Sequence, residues 1–154
     1  MKATDFDLPG VDGKRHSIAS ARGPNGVLVM FICNHCPYVK KSIDRIVRDC
    51  RELAARGIGA IAVMANDPAD YPEDSFDNMK RVARDKGFPF PYVLDETQDV
   101  ARAYDAVCTP EFFGFDAALE LRYHGRLDEL VQAMTGEPPK KQIASMGCSI
   151  KWKK

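Results

Sequence analysis

The chain has 154 residues, 45% of them hydrophobic, which is enough to bury one core and too little to build two comfortably. Lys and Arg number 22, as do Asp and Glu, so no net field draws the chain to nucleic acid or to an anionic membrane surface. The opening Met1-Lys2-Ala3-Thr4-Asp5-Phe6 has no apolar run after its basic residue, and no later stretch is long enough to span a bilayer. The expectation is one domain over residues 1–154, leaderless and cytoplasmic.

Phe6 and Leu8, with a turn at Asp12-Gly13, predict a small β-hairpin ahead of the core. Gly26 to Ile32 is a continuous apolar run, as expected of a strand buried on both faces, and it ends at Cys33. Val39, Ile43, Ile46, Val47, Cys50, Leu53 and Ala54 follow one helical face, closed by Gly57. Ile58 to Met64 is a second buried strand, completing a β-α-β unit expected to be parallel and right-handed. After a loop from Asn66 to Pro72, the residues Phe76, Met79, Val82 and Ala83 mark a second amphipathic helix that Gly87 stops.

Tyr92 to Leu94 reads as a third strand, and Asp95-Glu96-Thr97-Gln98 opens a short helix carrying Val100, Ala101 and Tyr104. The chain turns at Cys108-Thr109-Pro110, after which Phe112 to Phe115 and Leu119 to Tyr123 flank Asp116 as an antiparallel hairpin. Leu127, Leu130, Val131 and Met134 predict a last helix over that hairpin. Glu137-Pro138-Pro139 should end it, leaving a tail, 137–154, in which Ile143, Met146, Ile150 and Trp152 supply apolar surface for docking. Trp152 is expected to be at least half covered. The order β-α-β-α-β-α-β-β-α fits an α/β fold, a mixed central sheet flanked by helices.

Five cysteines, an odd count in a leaderless chain, argue for reduced thiols rather than a disulfide framework. Cys33 stands where a buried strand meets a helix N-terminus, whose unsatisfied N–H groups favour a thiolate. Cys36, three residues on, returns to the same side of the first turn, within reach of a disulfide with Cys33. An imidazolium at His35 would stabilise the Cys33 thiolate further. Thr109-Pro110 is a place where a cis peptide can occur, although trans is the commoner state.

Two other readings compete. Cys33, Cys36, Cys108 and Cys148 together offer four soft thiolates to a metal, although structural zinc sites pair two close knuckles and Cys108 and Cys148 each stand alone. A redox sensor without turnover fits the same thiols. Cys50 lies on the buried helix face as a small apolar filler. Cys108 is either a third redox thiol or a spectator. Cys148 is either incidental or able to resolve a mixed disulfide or pair with Cys108.

Several motifs resemble the thioredoxin superfamily, and most closely its peroxiredoxin-like (redoxin, AhpC/TSA-related) thiol-disulfide isomerase-like group. They are Phe6-Asp7-Leu8-Pro9 with Asp12-Gly13, Cys33-Asn34-His35-Cys36-Pro37-Tyr38-Val39-Lys40, Cys108-Thr109-Pro110-Glu111-Phe112-Phe113 after Tyr104, and Gly147-Cys148-Ser149-Ile150-Lys151-Trp152. The resemblance implies a thioredoxin-like fold with Cys33 as the exposed attacking thiol and Cys36 as the resolving one. It also implies a cis-Pro110 facing the pair across a groove lined by Asn34 and Thr109. No cofactor is implied. The partners would be protein or small-molecule disulfides or thiols, and the protein a monomer or homodimer.

The alternative within the group is a weak thiol peroxidase, an antioxidant with Cys36 in the peroxidatic place. The peroxidase pattern would put proline at Val29 and threonine at Cys33, with an arginine near Thr109 or Pro110, and none of these is present. The buried aspartate of thioredoxin would fall near Val27, so proton transfer is left to His35, water or another group.

Overall fold

In the computed structural model of the protein, residues 1–125, 127, 130–135 and 148–153 are described. The apolar run becomes β3 (Gly26–Phe31), and its side chains alternate strictly between two cores. Leu28, Met30 and Ile32 enter one, while Val27, Val29 and Phe31 enter the other. Strand periodicity splits the run this way, so both faces must be covered.

Helix α2 (Pro37–Ala55) lays Val39, Ile43, Ile46, Val47, Cys50 and Leu53 on the first core and ends before Gly57, whose φ of 78° is the left-handed conformation expected beyond a helix C-terminus. Strand β4 (Ile58–Met64) lies beside β3, joined to it by Ile32 N–H donating to Val63 O at 3.1 Å. It runs parallel to β5 (Tyr92–Leu94), and β3 runs antiparallel to β7 (Glu111–Asp116), which in turn pairs antiparallel with β8 (Leu121–Gly125). The result is a mixed five-strand sheet. Helix α3 (Phe76–Asp85) packs against β5, and α5 (Leu130–Thr135) packs over β7 and β8. Ahead of the sheet stand the antiparallel hairpin β1 (Leu8–Pro9) and β2 (Arg15–His16) and the single turn α1 (Ile18–Ala21).

Three features differ from the expected elements. A 3₁₀ turn, Pro72–Asp74, stands between the expected loop, which ends at Pro72, and the second amphipathic helix. Helix α4 (Asp99–Ala103) starts late because Asp95 accepts from Val100 N–H and Ala101 N–H at 3.3 and 2.9 Å, capping it across a left-handed Gln98. A two-residue strand, β6 (Cys108–Thr109), pairs antiparallel with β9 (Cys148–Ser149) from the far end of the chain.

Residues beyond β9 continue onto the body. Ile150 N–H donates to Val107 O at 2.9 Å, and its side chain is buried in the second core. Lys151 N–H donates to Asn66 Oδ1 at 3.0 Å, and Lys151 O accepts from Asp67 N–H and Gln98 Nε2 at 2.8 and 2.9 Å. Trp152 retains 39% of its exposure beneath the Arg102 guanidinium, 5.2 Å from the ring centroid. Glu137-Pro138-Pro139, Ile143, Met146 and Gly147 lie outside the described residues. No described helix is long and apolar enough to cross a membrane.

Candidate functional site

The two cysteines of the Cys-x-x-Cys sequence sit in the turn between β3 and α2. Cys36 is the N-cap of α2, with Pro37 in the first turn, where its missing N–H leaves no bond unmade. Both sulfurs meet Thr109. Cys33 Sγ lies 3.5 Å from Thr109 Oγ1, and Cys36 Sγ–H donates to Thr109 O at 3.6 Å. The Thr109–Pro110 peptide is cis.

Beneath the turn lies a carboxylate that the sequence did not reveal. Asp74, from the 3₁₀ turn, is fully buried, and its Oδ1 accepts the backbone N–H groups of Asn34 and His35 at 2.8 and 3.0 Å. Its Oδ2 accepts from Asn66 Nδ2 at 3.2 Å and from His35 Nδ1. The His35 ring also stacks on Tyr71, with centroids 4.4 Å apart. Asn34 is pinned on its other side, its Nδ2 donating to Glu73 O at 2.9 Å and its Oδ1 accepting from the buried Tyr92 hydroxyl at 2.8 Å. Both residues between the sulfurs are therefore held by side chains from distant elements.

Cys33 is only 2% exposed, which corrects the expectation of an exposed attacking thiol. The helix begins four residues after it, with Cys36 and not Cys33 at its N-cap, so the helix terminus does not favour a Cys33 thiolate in the way expected. The hydrogen bond with Cys36 comes first, then burial, and both push the Cys33 thiol far above the ordinary range; the Asp74 charge adds to the rise and the Thr109 hydroxyl opposes it. Burial also pushes the Cys50 thiol up.

A group raised in the fold contributes stability that is full below its unfolded pKa and is lost as pH climbs toward the folded value. Reduced protein is thus expected to lose stability above about pH 8.5, at up to about 1.4 kcal/mol per pH unit for each such thiol. Thermal melts between neutral and alkaline pH under reductant check this, and Cys33→Ser should show the shallower decline.

Cys33, His35 and Asp74 bring a sulfur, a ring nitrogen and a carboxylate oxygen within 4.8 Å of one another, a possible ligand set for a metal ion. The carboxylate, however, already accepts four hydrogen bonds. This is not the four-cysteine set considered from sequence. Cys108 Sγ–H donates instead to Glu111 Oε1 at 3.7 Å.

Glu111, 5% exposed, forms a second buried cluster, accepting Val107 N–H and Cys108 N–H at 2.8 and 3.2 Å and the Nε2 of His124. That cluster holds the segment leading into Pro110. The structure thus gathers Cys33, Asn34, His35, Cys36 and Thr109 and sends Cys108 to the neighbouring cluster, while Cys148 takes the register position opposite Thr109.

The AhpC/TSA family model matches residues 1–124, most of the chain. The chain belongs to the AhpC/TSA family. As a thioredoxin-superfamily redoxin it carries a general thiol redox role, consistent with two sulfurs at a strand-helix junction. A search of the curated proteins finds no match.

Among solved structures, this AhpC/TSA-family protein is similar to an uncharacterized conserved protein from Geobacillus kaustophilus, at 41% identity and a TM-score of 0.88, over 99% of this chain and 91% of that one. It is also similar to a hypothetical protein from Sinorhizobium meliloti, at 30% identity and a TM-score of 0.87, over 99% and 93% of the two chains. A thiol:disulfide interchange protein of the thioredoxin family from Chlorobium tepidum shares the fold at 24% identity and a TM-score of 0.67, over 80% and 83%.

Asp74, Asn66, Tyr71, Glu111 and His124 are the residues of this redoxin's site that sequence reasoning missed. Only Glu111 left a signal, a lone carboxylate at the head of an aromatic strand.

Proposed function

We propose that the protein is a thiol-disulfide oxidoreductase that cycles Cys33 and Cys36 between dithiol and disulfide. The observation that carries this reading is that both sulfurs rest on one residue, Thr109, Cys33 Sγ at 3.5 Å from its hydroxyl and Cys36 Sγ at 3.6 Å from its carbonyl. Cys33, as thiolate, attacks a partner disulfide; a mixed disulfide forms and one partner sulfur leaves as thiolate. Cys36 then attacks Cys33 Sγ, closing the intramolecular disulfide and releasing the second partner sulfur. Two electrons pass to the partner, and the protons lost by the two cysteines balance those its thiolates take up.

His35, backed by Asp74, is the proton acceptor beside Cys33, taking the place of the aspartate missing near Val27. Cys33 also lines a cleft of about 300 Å³ with Ile32, Val39, Ile43 and Val82, which offers a route for a partner to reach a buried sulfur. Partners would be protein or small-molecule disulfides or thiols, with Asn34, Thr109 and Pro110 forming the groove.

Peptide mapping after mild oxidation tests the reading. A Cys33–Cys36 linkage, reversed by a dithiol, is the expected result; no such linkage would overturn it.

Peroxide reduction is expected to be slow. The threonine and arginine that polarise peroxide in the peroxidase pattern are missing, and donors of that kind contribute about 100-fold or more to rate. Stopped-flow mixing with hydrogen peroxide checks this, and a rate in the range of dedicated peroxidases would restore the peroxidase reading with Cys36 as its centre.

A further inference from the structure

We propose that Cys148 is a third thiol of the redox centre and exchanges disulfide with Cys33 within one chain. This rests on the reading of Cys33 and Cys36 as a redox pair. Thr109 touches both sulfurs of that pair, and the residue directly opposite Thr109 in the β6–β9 ladder is Cys148. Directly opposed residues of an antiparallel pair lie about 4.5–5.5 Å apart at Cα and share a face of the ladder. Cys148 therefore occupies the backbone position across the ladder from Thr109, the residue on which both sulfurs of the pair rest.

A second, independent set of contacts holds this end of the chain against the same site. Lys151 N–H donates to Asn66 Oδ1, and the other arm of Asn66 donates to Asp74, the carboxylate beneath the Cys33 turn. The Lys151 ammonium lies 5.3 Å from the centroid of Tyr71, which stacks on His35. The segment that carries Cys148 is thus tied to the network that orders the pair.

Register also separates Cys148 from Cys108. Cys108 is opposite Ser149, and adjacent strand residues alternate in face, so Cys108 belongs to the side where its sulfur meets Glu111. The exchange conserves electrons. Starting from the Cys33–Cys36 disulfide, the Cys148 thiolate attacks Cys33 Sγ; the Cys33–Cys148 bond forms, the Cys33–Cys36 bond breaks, and Cys36 leaves as a thiolate that takes up the proton Cys148 gave up. The disulfide thereby comes to link the turn to β9.

The test uses the full chain carrying Cys36→Ser, with Cys33 charged by a nitrobenzoate disulfide whose release as thionitrobenzoate is read by absorbance. The expected release is about 100-fold faster than in Cys36→Ser with Cys148→Ser, as for a reaction between positioned groups. Peptide mapping should then show a Cys33–Cys148 linkage. Cys148→Ala should give the same slow rate as Cys148→Ser. Moving the thiol one place, with Cys148→Ser and Ser149→Cys, should also stay slow, because a one-residue shift puts it on the other face.

Equal release with and without Cys148, a Cys33–Cys108 linkage, or full rate from Ser149→Cys would each overturn the proposal. Those outcomes leave the Cys33–Cys36 linkage in the unsubstituted protein untouched, whereas the loss of that linkage would overturn the underlying reading instead.

Discussion

Cys33→Ser is expected to lower disulfide reductase turnover to less than about one part in a thousand of the parent, because a serine hydroxyl is not ionised enough to open a disulfide. Cys36→Ser should fail differently. It keeps the attacking sulfur and lacks the resolving one, so it should take up one equivalent of partner and stop as a mixed disulfide that intact-mass measurement detects. The contrast between the two variants assigns the roles. A trapped adduct in Cys33→Ser and none in Cys36→Ser would exchange them, making the helix N-cap sulfur the attacker.

The second large effect is expected at Asp74. Asp74→Ala would leave two backbone N–H groups, the His35 ring and the Asn66 amide without their acceptor in a fully buried place. A loss of about 3–5 kcal/mol follows from stranding several buried donors at once. Chemical denaturation of the reduced protein measures it.

Asp74→Asn keeps the volume and the Oδ1 acceptor, costs less, and removes the negative charge that helps push the Cys33 thiol up, so the Cys33 pKa should fall. His35→Ala should move it the other way, since it strips Asp74 of a donor that balances its charge. Thiolate absorbance titrations read both shifts. If both variants shift Cys33 in the same direction, the carboxylate and the ring do not act on it as a pair.

The elements legible in the sequence are those written in a period. The apolar run of β3, the helical face of α2 and the Tyr92–Leu94 strand each bury a repeating set of side chains, and pattern reports burial directly. The mixed sheet and the N-terminal hairpin follow from them, as does the gathering of Cys33 and Cys36 at one turn. Asp74 carries no such mark. It falls between the expected loop, which ends at Pro72, and the helix marked from Phe76, and only the tertiary placement of the 3₁₀ turn slides its carboxylate under the cysteines. The β6–β9 ladder is equally silent, since two residues cannot display an alternation. The exposed Cys33 that the resemblance implies is buried here, because a shared motif places the sulfur without reporting what packs over it.

Asp74 ties down the two residues that separate the sulfurs, and this bears on how the disulfide competes with open forms. Ordering one residue's backbone costs about 1–2 kcal/mol in conformational entropy. In a mobile Cys-x-x-Cys loop, ring closure meets that cost for both intervening residues. Here Asn34 and His35 are already fixed while the cysteines are still thiols. In the proposed cycle this raises the effective concentration of Cys36 toward a mixed disulfide on Cys33. Resolution should therefore outrun competing external thiols, and partner adducts should be short-lived unless Cys36 is removed.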